Sequence, residues 1–333
     1  PRVRSPVFEI RCDPNGNVKT RSANIPLLID TDAGVDDALA ILYAVHSPGI
    51  RVEAITTVAG NVEVEKCTRN VNVILDHATL EYRPPVVQGA AKPLRLPLVT
   101  APEVHGNDGL GNTQQQLREI PRRRSGDAVD CIRECCDRFH GELTIVALGP
   151  LTNIALALKK YPRSLRKVKR IVSMGGAFRV PGNTGPVAEF NYFVDPHAAN
   201  IVLNANLPVI VVPLDLTEQI VFTRDELRTM CRRRRSKLSS FILRFSGYYM
   251  RYHKTTLGFE GGYLHDPLAM AIAILPSLAE YRRAHVSVES AGMLARGMTV
   301  ADLQTTASGK PRIAVAIDRE KFLESFHRRV FAH

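Results

Sequence analysis

The chain lacks several features that would place it in a special class of protein. Its apolar runs fall short of the about 18 residues that a transmembrane helix needs, so we expect neither a membrane span nor a membrane partner. Residues 1–24 are polar and contain no apolar segment of the kind found in signal peptides, which predicts a cytoplasmic protein. We interpret these residues as an N-terminal arm that could be flexible. Tryptophan is absent altogether, and this absence excludes no class of enzyme.

Paired zinc-binding cysteines are also missing. The six cysteines do not provide two C-x-x-C pairs, which is the spacing typical of structural zinc sites. Cys131, Cys135 and Cys136 fall together on one predicted helix. Reduced thiols in a cytoplasmic protein are therefore the expected state.

Acidic residues are outnumbered, and the formal net charge is +11. Arginine runs at 122–124 and 232–235 could contact the phosphate groups of a nucleic acid. No aromatic residues are interleaved with these runs, and each lies beside a predicted helix end, where solvated charge is common. We therefore expect no nucleic-acid partner.

A repeated order of apolar strands and amphipathic helices predicts the fold class. Near-continuous apolar strands that alternate with helices are typical of an α/β fold, with a mostly parallel sheet covered on both faces. Strands are predicted at 25–29, 52–58, 143–148, 168–174 and 208–214, and helices at 35–45, 64–78, 151–160 and 196–204. Since no linker divides the pattern, we expect one domain over residues 25–333, with ligands at the carboxyl ends of the strands.

Four aspartates lie within eight residues directly after the first of these strands. The segment is Asp30-Thr31-Asp32-Ala33-Gly34-Val35-Asp36-Asp37. So dense a group of like charges is costly unless a cation neutralises it, and oxygen ligands without cysteine select calcium or magnesium. Gly34 permits a sharp turn before the helix. Asp36 and Asp37 point about 100° apart on the first helical turn, so one could face a metal and the other a substrate hydroxyl.

Taken alone, this segment is compatible with two kinds of enzyme. A strand that ends in Asp-x-Asp also opens the Mg²⁺-dependent phosphatases of the haloacid-dehalogenase type, in which the first aspartate is the nucleophile. Such a phosphatase needs a phosphate-neutralising lysine and a second acidic motif after a late strand, where Asp215 offers one acid. Three further segments bear on the choice: His105-Gly106-Asn107-Asp108-Gly109, Asn183 with Ala188-Glu189-Phe190-Asn191, and His265-Asp266-Pro267 ahead of an apolar helix.

The ordered set of motifs resembles the nucleoside hydrolase family, of the inosine–uridine-preferring kind. The matching segments are Asp30-Thr31-Asp32-x-Gly34-x-Asp36-Asp37, Ala59-Gly60-Asn61, His105-Gly106-x-Asp108-Gly109, Leu148-Gly149-Pro150-Leu151-Thr152-Asn153, Met174-Gly175-Gly176, Ala188-Glu189-Phe190-Asn191 and His265-Asp266. Each segment is weak alone, but together they run in order from about Pro26 to near the C-terminus and are highly specific. The resemblance implies a Rossmann-like nucleoside hydrolase fold, and hydrolysis of the N-glycosidic bond of ribonucleosides to ribose and free nucleobase.

The resemblance also implies a role for each motif residue. One Ca²⁺ would be held by Asp30, Asp32, Asp37, Asp266 and the backbone carbonyl of Leu148. The substrate would be bound by Asp36, Asn61, His105, Asn183, Glu189, Phe190, Asn191, His265 and Asp266. Asp32 would activate a calcium-bound water, and His265 would protonate the leaving base.

General chemistry agrees with these roles. Cleaving a glycosidic bond builds oxocarbenium character on the sugar, which nearby carboxylates stabilise. A metal orients the attacking water and lowers its pKa, and an imidazole suits the protonation of a poor leaving group near neutral pH. Outside the motifs, we expect surface or helix-end positions for His77, His140 and His253.

The family analogy carries some further expectations. Ala33 stands where members often have proline, which would loosen the turn but remove no ligand. Tyr249, Tyr252 and Tyr263 are either base contacts in a mobile flap or core residues on one helical face. The pair His105 and His265 favours a broad or pyrimidine-leaning enzyme. By analogy, it would be a homodimer or homotetramer that serves nucleoside salvage.

Overall fold

The computed structural model describes residues 9–12, 18–21, 24–113, 127–302, 304 and 311–331. The arginine run at 122–124 and the greater part of the N-terminal arm lie outside these residues. The described strands are β1 (Glu9–Cys12), β2 (Val18–Arg21), β3 (Ile25–Thr31), β4 (Ile50–Thr57), β5 (Val86–Gln88), β6 (Thr144–Ala147), β7 (Arg170–Met174), β8 (Val209–Val212), β9 (Val221–Thr223), β10 (Gly261–Tyr263), β11 (Ala279–Arg283), β12 (His285–Val288), β13 (Thr299–Asp302) and β14 (Arg312–Ile317).

Helices fill most of the connections between these strands. They are α1 (Val35–Val45), α2 (Val64–His77), α3 (Pro102–His105), α4 (Ala128–Arg138), α5 (Thr152–Lys160), α6 (Pro162–Leu165), α7 (Phe190–Val194), α8 (Pro196–Leu203), α9 (Leu214–Thr217), α10 (Arg224–Arg233), α11 (Lys237–Tyr252), α12 (His265–Ile274) and α13 (Arg319–Phe331). A π-helical turn (His253–Leu257) continues α11, and a 3₁₀ turn (Pro276–Leu278) follows α12.

An eight-stranded sheet forms the centre of the molecule, with the strand order β11-β14-β8-β7-β6-β3-β4-β5. The pairs from β14 to β5 are parallel, and β11 runs antiparallel to β14. The expected α/β class with a mostly parallel sheet in a single domain is confirmed. The described part of the N-terminal arm forms a separate antiparallel pair, β1 with β2.

Hydrophobic cores lie on both faces of this sheet, as successive residues of β3 illustrate. Leu27 and Ile29 pack with α1, α11, α12 and α13, whereas Leu28 packs on the opposite face with α4, α5 and α8. Side chains alternate between the two faces of a strand, so a strand covered on both sides must be apolar at every position. This requirement explains the continuous apolar run that the sequence shows there.

The element ends follow local chemistry. α1 begins and ends at the predicted residues, and the Asp37 carboxylate accepts a hydrogen bond from the backbone N–H of Gly34 at its start (2.8 Å). β3 continues to Thr31 because that residue still pairs with Thr57 of β4. β8 ends at Val212, two residues earlier than predicted, because Pro213 has no N–H for the ladder and instead precedes α9.

The remaining sequence predictions concern surface features. Cys131, Cys135 and Cys136 do lie on one helix, α4, and their thiols are free. Arginines 232–235 are exposed around the end of α10. No helix among the described residues is long and apolar enough to cross a membrane.

The C-terminal helix α13 is held against α1 by aromatic packing. Phe326 is fully buried, and its ring lies near those of Tyr43, Phe222 and Phe322, with centroid distances of 5.5–6.4 Å. The Arg329 guanidinium lies over the Tyr43 ring at 4.9 Å and donates a hydrogen bond to its hydroxyl (2.9 Å). These contacts join the last helix to the element that carries Asp36 and Asp37.

Replacing the central ring of this cluster should therefore destabilise the whole domain. For Phe326→Ala we expect a loss of about 3–5 kcal/mol in the free energy of unfolding, since a large buried ring leaves a cavity. Urea denaturation followed by circular dichroism measures it. Leu294→Ala is the control, because Leu294 is 90% exposed and should change the value by less than about 0.5 kcal/mol. A Phe326→Ala loss as small as the control's would contradict the assigned packing.

Candidate active site

The aspartate segment forms a tight turn between β3 and α1. Ala33 adopts a left-handed backbone conformation with φ +39°, and its N–H donates to Thr31 Oγ1 (3.0 Å). Asn70 Nδ2 donates to the Ala33 carbonyl (3.1 Å) and fixes the turn from α2. A proline ring holds φ near about −65°, so proline could not make this turn. Ala33 thus allows a turn that proline could not form, which goes beyond the looser turn expected from the sequence.

Asp37 is the aspartate with the most hydrogen bonds in this turn. Its Oδ1 accepts from Thr31 Oγ1 (2.5 Å), and its Oδ2 accepts from Gly34 N (2.8 Å) and Asn61 Nδ2 (3.2 Å). The side chain is completely buried. Because these three donors are neutral, they orient the carboxylate without compensating its charge.

Asp32 and Asp30 each keep one carboxylate oxygen without a partner. Asp32 Oδ2 accepts from Asn61 N (2.8 Å), and Asp30 Oδ1 accepts from Thr56 Oγ1 (2.5 Å) and Asn153 Nδ2 (2.8 Å). Asp32 Oδ1 and Asp30 Oδ2 are buried with no hydrogen-bond partner. An unpaired buried polar atom costs free energy, so these two oxygens indicate a missing partner of positive charge.

Glycines make the space that Asp32 occupies. A Cβ atom on Gly60 would lie 2.1 Å from Asp32 Oδ2, and one on Gly149 would lie 2.9 Å from Asp32 Oδ1. Side chains at either position would displace the carboxylate. The glycines in two of the matching motifs are therefore explained by close approach to this aspartate.

Asp36, Asp37 and Asp266 converge at the carboxyl edge of the sheet. Each offers a carboxylate oxygen, and these atoms lie within 4.8 Å of one another. Burial raises the pKa of Asp30 to about 6 and, together with the nearby Asp37, that of Asp36 to about 8. Burial also raises the pKa values of Asp32, Asp37 and Asp266, with further contributions from neighbouring carboxylates at Asp32 and Asp266.

The donor set fits a hard divalent cation. All the side chains that converge here are carboxylates, and the carbonyl of Leu148 lies at the end of β6, where Asn191 Nδ2 donates to it (2.8 Å). Oxygen-only sites suit calcium or magnesium. The structure therefore supports a cation at this edge of the sheet. The unpaired carboxylate oxygens of Asp30 and Asp32 are available to bind it.

A cavity of about 610 Å³ opens over this carboxylate cluster. The sequence-predicted residues that line it are Asp36, Asn61, His105, Leu148, Asn183, Glu189, Phe190, Asn191, His265 and Asp266. Asp30, Asp32 and Asp37 are not among its lining residues, and Asn61 bonds to both Asp32 and Asp37 from the cavity wall. The structure thus brings every predicted substrate residue to one cavity above the predicted metal aspartates.

Glu189 and its neighbours shape one wall of the cavity. The Glu189 carboxylate caps α7 by accepting from the backbone N–H groups of Asn191 (2.8 Å), Tyr192 (3.1 Å) and Gly176 (3.1 Å). Burial raises its pKa to about 7 despite these bonds. Asn183 Oδ1 accepts from Phe190 N (2.9 Å), which fixes the loop ahead of α7. This wall offers carboxylate and amide groups suited to a polyhydroxylated ligand.

Three histidines face the cavity, and the sequence indicated two of them. His105 Nδ1 accepts from Val35 N (3.1 Å), and His265 Nδ1 shares a hydrogen bond with Thr217 Oγ1 (2.7 Å). Burial lowers the pKa of each to about 3. The third is His253, which lies at the C-terminal end of α11, as the helix-end alternative predicted, but is 3% exposed and lines the cavity. Its position four residues after Tyr249, on the same helical face, was the available signal.

Aromatic side chains complete the cavity. Tyr249, Tyr252 and Tyr263 all line it, and Tyr249 is buried with its ring stacked on His105 at 5.8 Å. Tyr249 also packs in the core, which agrees with the second alternative for this residue, and contact of the tyrosines with a base stays a prediction. His77 stacks on Phe241 (4.0 Å) and His140 is exposed, which places both outside the site.

Glu218 is a further lining residue that the sequence did not indicate. It is partly buried, and burial together with nearby Asp215 raises its pKa to about 7. It follows α9 and is isolated from the recognisable motifs, so no spacing in the sequence pointed to it.

The raised carboxyl pKa values predict how the stability of the metal-free protein depends on pH. Asp30 and Asp36 titrate at about 6 and about 8, against 3.8 for an unperturbed aspartate. A pKa that is raised in the folded state stabilises the fold below the unfolded value, and that contribution is lost as pH rises through the folded value. The melting temperature of chelator-treated protein should therefore fall between about pH 5 and pH 8.5.

Excess Ca²⁺ is the control: an ion held by these carboxylates would replace the protons and flatten this profile. Scanning calorimetry at each pH, with chelator or with calcium, measures both curves. A chelated protein whose melting temperature stays level or rises over this range would show that the cluster is not protonated in the fold.

Comparison with known proteins assigns the chain to a family. The family model described as inosine-uridine preferring nucleoside hydrolase matches residues 27–324. The pyrimidine-specific ribonucleoside hydrolase RihA of Salmonella agona (strain SL483) is 38% identical over 312 residues, which cover 92% of this chain and 98% of that protein.

Solved structures agree with this match. A plant nucleoside hydrolase, PpNRh1, superposes with a TM-score of 0.87 at 36% identity, covering 92% of this chain and 99% of that one. A purine-preferring ribonucleoside hydrolase from Gardnerella vaginalis superposes with a TM-score of 0.86 at 32% identity, covering 92% of this chain and 98% of that one. This chain therefore belongs to the inosine-uridine preferring nucleoside hydrolase family and is a hydrolase that acts on N-glycosyl bonds.

Proposed function

We propose that the protein hydrolyses the N-glycosidic bond of ribonucleosides to ribose and free base in a calcium-dependent reaction. The observation that carries the proposal is a cavity whose wall of carboxylates and amides suits a ribose, set over buried aspartates with two unpaired oxygens. The ion would be held by Asp30, Asp32, Asp37, Asp266 and the Leu148 carbonyl. A bound Ca²⁺ would bring together the ribose hydroxyls and a water of lowered pKa.

Asp32 is the proposed general base. Its Oδ1 has no hydrogen-bond partner, so it is free to accept a proton from a water molecule, and Asn61 N holds the other oxygen in place (2.8 Å). Proton transfer from the attacking water to this carboxylate would be general base catalysis.

The ribose is proposed to lie against Asp36, Asn61, Asn183, Glu189 and Asn191, beside Phe190. Asn191 donates from Nδ2 to the Leu148 carbonyl, which leaves its side-chain oxygen for a hydroxyl donor. As the glycosidic bond breaks, the sugar gains oxocarbenium character, and the negative charge of Glu189 and the aspartates stabilises it.

His265 and His105 are proposed to contact the base, and the family analogy makes His265 the proton donor to the leaving group. Burial lowers the pKa of His265, so its ring is neutral near pH 7. A neutral ring assists departure by donating a hydrogen bond from its N–H to the base, whereas full proton transfer requires the imidazolium form. When Thr217 donates to Nδ1, the proton sits on Nε2. The cationic form gains population only as the pH falls towards 3, so histidine titration should not shape the rate between about pH 5 and pH 8.

The proposal also covers the base preference, the oligomeric state and the cellular role of the protein. The similar proteins include a pyrimidine-specific and a purine-preferring enzyme, and we propose a broad specificity that leans towards pyrimidines. We further propose a cytoplasmic homodimer or homotetramer in nucleoside salvage, acting without a nucleic-acid or membrane partner. The Mg²⁺-dependent phosphatase is not favoured, because the matched relatives are nucleoside hydrolases.

The first test is release of free ribose from uridine, cytidine, inosine and adenosine, measured as reducing sugar. We expect release from at least one nucleoside, a fall of at least about 100-fold with a calcium chelator, and recovery when calcium is added back. Phosphate release from p-nitrophenyl phosphate with Mg²⁺ serves as the comparison. Phosphatase activity without ribose release would replace the proposal by its alternative.

Removing the proposed base should slow turnover without unfolding the protein. For Asp32→Asn, which keeps the shape of the side chain, we expect kcat to fall by about 10²–10⁴-fold at saturating calcium. Asp76→Asn is the matched control, because Asp76 forms a surface ion pair with Arg83 (2.6 Å). If Asp32→Asn turned over at the rate of the control, another group must be the base.

A further inference from the structure

A second cavity lies away from the active site, where α10 meets α11. Its volume is about 730 Å³, and its lining includes Arg235, Lys237, Arg244, His77, Ser240 and Leu243. None of the described residues that line it is acidic, and none also lines the active-site cavity. A volume of this size suits a small organic molecule. We call it the cationic cavity, after its two arginines and its lysine.

The positive charges of the cationic cavity are not compensated within the part of the chain that the structure describes, where none of the three forms an ion pair. The acidic side chains of the adjoining helices have partners of their own. On α10, Asp225 pairs with Arg228 (3.7 Å), and on α2, Asp76 pairs with Arg83 (2.6 Å). Like charges that line one cavity repel each other, so a bound anion would relieve this repulsion.

Lys237 occupies a position that is unfavourable for a cation. It is the first residue of α11, and the first turn of this helix contains no acidic residue. The dipole of a helix places partial positive charge at its N-terminus, which favours anions there. By contrast, Arg232 and Arg233 lie in the last turn of α10, where a cation is favourable. The helix-end explanation of the arginine run therefore does not extend to Lys237.

Hydrogen bonds fix the backbone between the two helices. Ser236 Oγ accepts from Ser239 N (3.1 Å), and Ser239 Oγ accepts from Ser236 N (2.8 Å). Cys231 Sγ donates to the Ser239 carbonyl (3.4 Å), which ties α10 to α11. Arg235 and Lys237 flank this cap, so both extend from an ordered backbone. The Ser239 amide is already satisfied, and recognition of an anion depends on the side chains around it.

The remaining lining residues add polar and apolar contacts. Ser240 and Arg244 follow Lys237 on the same face of α11, at spacings of three and four residues. The exposed Ser240 hydroxyl can donate a hydrogen bond. Leu243 is 41% exposed and gives the cavity an apolar contact beside its cations. The lining therefore suits a ligand that joins an anionic group to an organic one.

We propose that the cationic cavity binds a small organic phosphate. The phosphate group lies against Arg235, Lys237 and Arg244, and its organic part lies against Leu243. Arginine forms paired hydrogen bonds with phosphate oxygens, and lysine contributes a compact positive charge. This inference is independent of the proposed function, since it uses no residue of the active-site cavity.

Calorimetric titration of the full chain in the presence of calcium tests the proposal. Phenyl phosphate is the probe, because it carries a phosphate on an apolar ring and has no ribose to occupy the active site. Benzyl alcohol is the uncharged comparison. We expect phenyl phosphate to bind with a Kd below about 1 mM, and benzyl alcohol to bind at least about 10-fold more weakly.

Variants locate the binding site. The double variant Arg235→Gln/Arg244→Gln should raise the Kd of phenyl phosphate by at least about 10-fold, because charge-assisted hydrogen bonds are lost. Lys237→Gln should weaken binding without lowering the melting temperature, because it removes a cation from a helix N-terminus. Arg283→Gln is the matched control, since Arg283 is an exposed arginine on β11, and its Kd should stay at the wild-type value.

Several results would overturn the proposal. They are a wild type that does not bind phenyl phosphate up to about 10 mM, a double variant that binds as tightly as the wild type, and benzyl alcohol that binds as well as phenyl phosphate. Inorganic phosphate should bind more weakly and through the same arginines; equal affinity would contradict the role of Leu243.

Two further arms separate this inference from other readings of the molecule. A short single-stranded oligonucleotide that bound through the same arginines, at least about 100-fold more tightly than phenyl phosphate, would replace the proposal by a nucleic-acid site. Ribose release from nucleosides is measured on each variant and should equal that of the wild type. Absence of ribose release in the wild type would contradict the proposed function and leave the cationic cavity to be judged by its Kd values.

Discussion

Repulsion among buried carboxylates is the constraint around which the carboxyl edge of the sheet is arranged. Asp36, Asp37 and Asp266 bring oxygen atoms within 4.8 Å of one another, and the nearby groups that donate to Asp37 are neutral. Hydrogen bonds orient a carboxylate but leave its charge in place, so the cluster is satisfied by protons or by a cation. The fold therefore holds these carboxylates in position, and their charge is neutralised only when protons or a cation bind.

Polar residues packed behind the aspartates fix the positions of the carboxylates. Thr56 and Asn153 hold Asp30 from two neighbouring elements, β4 and α5. Asn153 also bonds to the Thr57 carbonyl (2.9 Å) and accepts from Ala90 N (2.9 Å), so all three of its polar contacts tie strand ends together. Small changes in these supporting residues would move the Asp30 carboxylate and so alter the spacing of the charges in the cluster.

The residues of the candidate site could be predicted from the sequence more completely than the strands at the edge of the sheet. The span of α1 and the strands β3, β6 and β7 were predictable, because strands buried on both faces are continuously apolar and Gly34 marks the start of the helix. By contrast, β11 at the sheet edge has no buried residue and β14 beside it has two, and β12 with β13 forms a separate pair. The position of His253 in the cavity was missed because it depends on how the end of α11 packs over the site, and the four-residue spacing from Tyr249 is a weak signal by itself.

The contact between α13 and α1 links distant parts of the chain. Arg329 bonds to the Tyr43 hydroxyl, and His46 Nδ1 donates to the Arg329 carbonyl (3.1 Å), so both contacts reach α1 from the last helix. The first turn of α1 carries Asp36 and Asp37. Loosening of α13 would therefore weaken the support of α1 from a position remote from the cavity.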